Sequence, residues 1–205
     1  MVLLTLLLAA ALARPTPEQW LVVVTPDWDA DAGTATLYEE GQVVLGPVPI
    51  RVGHAGLGWG QGLHPEAARP GPTKKEGDGR APAGIFQIGP QWTRFWSRGS
   101  FCVDDSKSAS YGQIVTLGAG QKASWSSAET MVDYRVAIVV EHNPAHRKLG
   151  GSCIFLHDGT EPTVGCTAFE QESLDVLAGR LVPGAKLVQL PRVEYARYQG
   201  AWGLP

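Results

Sequence analysis

The sequence predicts a mainly β domain, a β-sandwich or mixed sheet, with one main helix following a cysteine near the C-terminal end. Three observations carry this. Glycine (25) and proline (15) are abundant in 205 residues and break the chain into short segments. Those segments are short apolar runs of strand length and composition. One segment, by contrast, has helical periodicity, with Leu174, Leu177, Ala178 and Leu181 on a single face.

In chain order, Met1 to Ala13 reads as a secretory signal peptide. Val2 to Ala13 is apolar apart from Thr5, and Ala11-Leu12-Ala13 is a small-x-small cleavage pattern. Residues 20–190 then form one domain. Trp20–Thr25, Ala35–Tyr38, Gln42–Leu45 and Val48–Val52 read as strands of a β-meander. Gly53 to His64 is a glycine-rich connection around Trp59, either a plain surface loop or a lid or substrate platform. Ile85–Ile88 alternates as a strand, and Trp92, Phe95 and Trp96 follow as an aromatic cluster. Gly99 to Ala128 is polar and aperiodic, a long loop that Cys102 would staple to the core. Arg135–Glu141, Cys153–Leu156 and Lys186–Leu190 complete the strands. Residues 191–205 read as a tail.

The formal net charge of −3 gives no reason to expect a nucleic-acid partner. The apolar leader is too short to cross a bilayer, so no membrane span remains after its cleavage. No cofactor fingerprint occurs: the glycines of residues 53–62 match neither GxGxxG nor a P-loop. No metal is expected either. Asp104-Asp105 has no further ligand at a useful spacing, and Pro144 between His142 and His146 precludes a helical zinc pair.

Three cysteines in an exported chain imply one disulfide and one free thiol. Cys102 and Cys153 are the natural pair, because Cys166 has a histidine nearby and a helix start after it. The alternatives, Cys153–Cys166 and Cys102–Cys166, would block that thiol. His157 falls where the strand Cys153–Leu156 ends, and Asp158-Gly159-Thr160-Glu161-Pro162 is turn chemistry that returns the chain. Thr167 and Glu170 have the spacing of a capping box, predicting a helix over 167–181. Cys166 would then feel the positive helix end and have a lowered pKa. This makes Cys166 and His157 a candidate nucleophile–base pair. The imidazole's orienting acceptor is either the Asp158 side chain or a backbone carbonyl of the turn. Gly165 allows close backbone approach, so the N–H groups of Gly165 and Cys166 are oxyanion-hole candidates.

Two blocks resemble the L,D-transpeptidase catalytic (YkuD-type) family. Gly79-Arg80-Ala81-Pro82-Ala83-Gly84-Ile85-Phe86-Gln87-Ile88 is similar to that family's Thr/Ala-Pro-x-Gly-x-Phe strand motif. His157 followed by Thr163-Val164-Gly165-Cys166 is similar to its His…Ser/Thr-His-Gly-Cys signature. Three features depart from the pattern. Val164 stands where a second histidine is usual, Ala168 stands where an arginine is usual, and the His–Cys interval is short, as in a divergent branch with a Gly-Cys-Thr-Ala ending. The resemblance implies a secreted or periplasmic, cell-wall-associated acyltransferase acting on peptidoglycan stem peptides through a Cys166 thioester. Arg80 or Lys75 would take over carboxylate recognition, with Trp59 and Thr163 as further substrate-binding candidates. An L,D-carboxypeptidase using water, a non-catalytic wall-binding module and an unrelated disulfide-stabilised protein are the alternatives. The sequence leaves the oligomeric state open.

Overall fold

The computed structural model describes residues 18–65 and 70–205. The signal peptide expected at Met1 to Ala13 lies outside the described residues. The described chain is mainly β, as expected. The opening meander comprises β1 (Gln19–Thr25), β2 (Ala32–Glu39) and β3 (Gln42–Arg51), paired antiparallel in sequence. The two short strands read at 42–45 and 48–52 are one continuous β3. Gly46 permits this, since a Cβ there would stand 2.4 Å from the Ala35 carbonyl oxygen.

β4 (Leu57–Trp59) lies within the glycine-rich connection, and β5 (Ala81–Thr93) extends the Ile85–Ile88 strand in both directions. Residues 99–128 are not merely a loop. They contribute β6 (Ser100–Cys102) and β7 (Ile114–Thr116), which with β8 (Glu129–Thr130) form a separate three-stranded sheet. β9 (Val136–Val140), β10 (Phe155–Asp158), β11 (Thr167–Phe169) and β12 (Lys186–Pro191) complete the nine-stranded sheet, ordered β12-β1-β2-β3-β11-β10-β9-β5-β4. β12 also pairs antiparallel with β5, so the sheet closes on itself around the main core.

Two expectations about helices are corrected. The helix after the cysteine, α1, spans Gln171–Arg180 rather than 167–181. Residues 167–169 are instead held in the sheet, between β10 and β3. Thr167 makes no helix cap: its hydroxyl donates to Gln189 Oε1 inside the core at 2.7 Å. The C-terminal tail is also mostly helical, as α2 (Arg192–Trp202). There Tyr198 stacks on Trp202 at 4.3 Å, and Trp59 meets Tyr198 edge-on. That aromatic packing supplies what the weak periodicity of the segment does not.

Candidate active site

Side chains alternate across strands, so neighbouring strands decide which residues share a face. In the middle of the sheet, Ile50, Phe169, Leu156 and Ile138 point into the main core. The residues between them therefore face the other way. The register aligns Arg51, Ala168, His157, Ala137 and Trp92 in one row across β3, β11, β10, β9 and β5. Extending the β10–β11 register by one residue places Cys166 beside Phe155, on the same face as His157. Strands lie about 4.8 Å apart and two residues rise about 6.6 Å, so His157 and Cys166 are diagonal neighbours with Cα atoms on the order of 8 Å apart.

Cys166 is 5 % exposed and belongs to a small second cluster with Cys102, Cys153, Met131, Ala137 and Phe155. Cys102 and Cys153 are disulfide-bonded with Cα atoms 5.8 Å apart and Cys166 is the free thiol, so of the three pairings open in the sequence the one that leaves Cys166 unpaired is formed. Its Sγ accepts the Phe155 N–H at 3.3 Å and donates to the Cys153 carbonyl at 3.5 Å. The expected fall in thiol pKa is overturned. Burial pushes it up to about 12, and the Glu129 carboxylate pushes the same way. The Phe155 N–H and the Lys74 ammonium pull it down by less. The physical reason is positional: α1 starts after Glu170, so its positive end is not at the sulfur.

His157 Nδ1 lies 2.8 Å from the Asp158 carbonyl oxygen. A carbonyl can only accept, so Nδ1 carries the proton and Nε2 presents its lone pair. Of the two orienting acceptors left open by the sequence, the backbone carbonyl is therefore the one used. The Asp158 carboxylate turns to Arg135 instead, at 3.7 Å. Tyr134 packs its ring against both Phe155 and His157, with centroids 5.4 Å apart in each case, and donates its hydroxyl to Glu129 at 2.6 Å. Among the described residues no hydrogen bond joins His157 to Cys166.

The turn before the thiol is held by Thr163, whose hydroxyl donates to the Cys166 carbonyl at 2.7 Å and accepts the Gly165 N–H at 3.1 Å. Of the oxyanion candidates, the Gly165 N–H is thus already engaged within its own turn. The structure disperses the other sequence candidates. Arg80 passes close to Gly165 with its backbone, but its guanidinium is committed to the Trp28 and Leu57 carbonyls and to Asp29. Lys75 is exposed. Trp59 is buried, donating to the Pro70 carbonyl and packing on Trp28 and His64 in the main core.

Sequence reasoning passed over Glu129, Tyr134 and Lys74. Burial raises the pKa of both the Glu129 carboxyl and the Tyr134 phenol. Lys74 is buried, paired with Asp78 at 2.6 Å, and its Nζ lies 3.7 Å from where a Cβ on Gly165 would stand. No motif marks these residues; the signal lies only in which segments the fold stacks on Cys166. His142 is a poor substitute for His157. Its Nδ1 accepts the Gln61 N–H, its Nε2 donates to the Gly150 carbonyl, and burial lowers its pKa to about 4. Among the described residues no group of three or more His, Cys, Asp or Glu side chains is placed to hold a metal ion. No helix of the described residues is long and apolar enough to cross a membrane.

No protein-family model matches the sequence, and no curated protein matches it. Among solved structures, an L,D-transpeptidase from Mycobacterium smegmatis aligns with a TM-score of 0.41 and 14% identity, covering 84% of this chain and 58% of that one. L,D-transpeptidase 3 from Mycobacterium tuberculosis, in complex with a faropenem-derived adduct, aligns with a TM-score of 0.40 and 9% identity, covering 86% and 61%. The chain therefore spans about three-fifths of the length of these structures. At these values the likeness assigns no role to any residue here.

Proposed function

We propose that this chain is an exported, cysteine-dependent acyltransferase of the L,D-transpeptidase kind, acting on peptidoglycan stem peptides. The observation that carries it is the placement of the free thiol and His157 as diagonal neighbours on one sheet face, with Nδ1 pinned so that Nε2 is the basic nitrogen. The two sequence blocks support the same reading. The Cys102–Cys153 disulfide supports an oxidising, secreted or periplasmic setting.

The chemistry follows from the groups present. Cys166 is protonated at rest, so its proton passes to His157 Nε2 as the sulfur attacks the carbonyl of the diaminopimelate residue of a tetrapeptide stem. The imidazolium returns that proton to the departing amine, leaving a thioester. An amine of a second stem then attacks the thioester, His157 takes its proton, and the thiol is regenerated with a cross-link formed. Water in place of the amine gives the carboxypeptidase outcome.

The test is incubation with a disaccharide tetrapeptide, reading dimer or trimmed product by mass, alongside acylation by a carbapenem mapped to Cys166. Cys166→Ala abolishes the adduct. His157→Ala slows its formation by about 10²–10⁴-fold while leaving the unfolding free energy within about 1 kcal/mol of the parent. An adduct that persists in Cys166→Ala sinks the proposal. A second reading, a wall-binding module without turnover, is favoured by the burial of Cys166 and its raised pKa. It forecasts retention on peptidoglycan with neither adduct nor product.

A further inference from the structure

The row that carries His157 continues across the sheet to a basic side chain that no motif marks. Ala168 lies directly between His157 on β10 and Arg51 on β3, on one face of the sheet. Ala168 is itself buried and contributes only a methyl group, so the space beside it is left to its neighbours. A cavity of about 190 Å3 occupies that space, lined by Arg51, Gly159, Thr160, Ala168 and Glu170 together with Pro49 and Ile50. Gly159 forms the wall towards the candidate reacting pair: a Cβ there would stand 3.3 Å from the Ala168 Cβ and 3.8 Å from His157 Cε1.

The charges on this cavity have opposite sign and are separate. Arg51 is two-fifths exposed and gives one of its five N–H donors to Asp31, at 3.3 Å. That is long for a charge-assisted bond and leaves a free edge of the guanidinium for a bidentate carboxylate. Glu170 follows Ala168 by two residues, so it sits diagonally from Arg51 across the β11–β3 pairing. Its carboxylate is exposed, and among the described residues it forms no ion pair with Arg51. Whole small-molecule sites usually enclose about 300–1,000 Å3, so this cavity suits a terminal group rather than an entire peptide.

We propose that this cavity is a binding subsite for a zwitterionic α-amino-acid end, with Arg51 holding the carboxylate and Glu170 the ammonium. On the function proposed above, this deepens the substrate assignment: the ligand is the free amino-acid end of a diaminopimelate side chain. Binding at the subsite depends on Arg51 and Glu170, and not on turnover at Cys166.

The experiment titrates the isotopically labelled full chain with three small probes and follows the amide resonances of Gly159, Thr160 and Ala168. D-norleucine carries both charges, hexanoate lacks the ammonium, and pentylamine lacks the carboxylate. D-norleucine is expected to shift these resonances and to bind about tenfold more tightly than either single-charge probe. Arg51→Gln weakens it by about tenfold or more, Arg51→Lys by less, and Glu170→Gln removes its advantage over hexanoate. Equal binding of D-norleucine and hexanoate to the parent chain, shifts confined to other residues, or an unaltered affinity in Arg51→Gln each overturn the subsite. Cys166→Ser is expected to bind D-norleucine as the parent does. Loss of the subsite with intact carbapenem acylation, and an intact subsite without acylation, therefore report separately on this proposal and on the catalytic reading.

Discussion

On one face of β3, β11, β10 and β9, Ile50, Phe169, Leu156 and Ile138 disappear into the main core. On the other face, the same strands present Arg51, Ala168, His157 and Ala137. The first face is packed from large apolar side chains and continues into Leu174 and Leu177 of α1. The second has small side chains and chargeable groups, and its covering cluster of Met131, Phe155 and Cys166 is small enough that a disulfide shares the task of holding it. A strand's period of two allows this division: the large apolar side chains are concentrated on one surface, and the opposite surface is left to small and chargeable ones.

The sharpest way to break this comparison is a matched pair of truncations. Phe86 is wholly buried in the main core, so Phe86→Ala should cost about 3–5 kcal/mol in denaturant unfolding. His157→Ala on the second face should cost less than about 1 kcal/mol. Equal costs would show that His157 is a packing residue. Next in size is the staple. Replacing Cys102 and Cys153 with alanine opens a link between residues 51 apart and should cost about 2–5 kcal/mol. Amide exchange should then accelerate first in β6 and β8, which cover Cys166, and not in β1 or β12. Uniform acceleration would mean that the two regions are one cooperative unit.

The smallest effect sharpens the contrast between two histidines. His142 is buried neutral, with both ring nitrogens occupied, and its pKa is depressed to about 4, first by burial and then by the Lys74 ammonium. The unfolded chain binds that proton more readily, so His142 contributes stability above its ordinary value of 6.5. That contribution is lost as pH falls towards 4. Urea midpoints of the parent should therefore decline over that window, and those of His142→Gln should decline less steeply. Identical slopes would remove His142 from the account.

Much of the frame was legible in the sequence because it is local. Short apolar runs identify β1, β9 and β12, alternation identifies the Ile85–Ile88 part of β5, and turn residues separate them. On the expectation of export, three cysteines imply one disulfide, and the histidine and helix start near Cys166 leave Cys102 and Cys153 as the natural pair, which is the bond formed. Other features depended on partners far along the chain. Thr167 to Phe169 form a strand because β3 and β10 offer backbone partners on both sides, which outweighs the capping-box spacing and delays the helix to Gln171. The same delay removes the helix dipole from Cys166, while burial in the cluster against which Tyr134 packs, and then the Glu129 carboxylate, push the thiol pKa up. Arg51 faces Ala168 across 117 residues of sequence only through the β3–β11 register. Local patterning determined the long apolar strands; only the tertiary register decided that Thr167–Phe169 joins the sheet and which side chains share a face, because strand pairing carries no trace in the spacing of either partner.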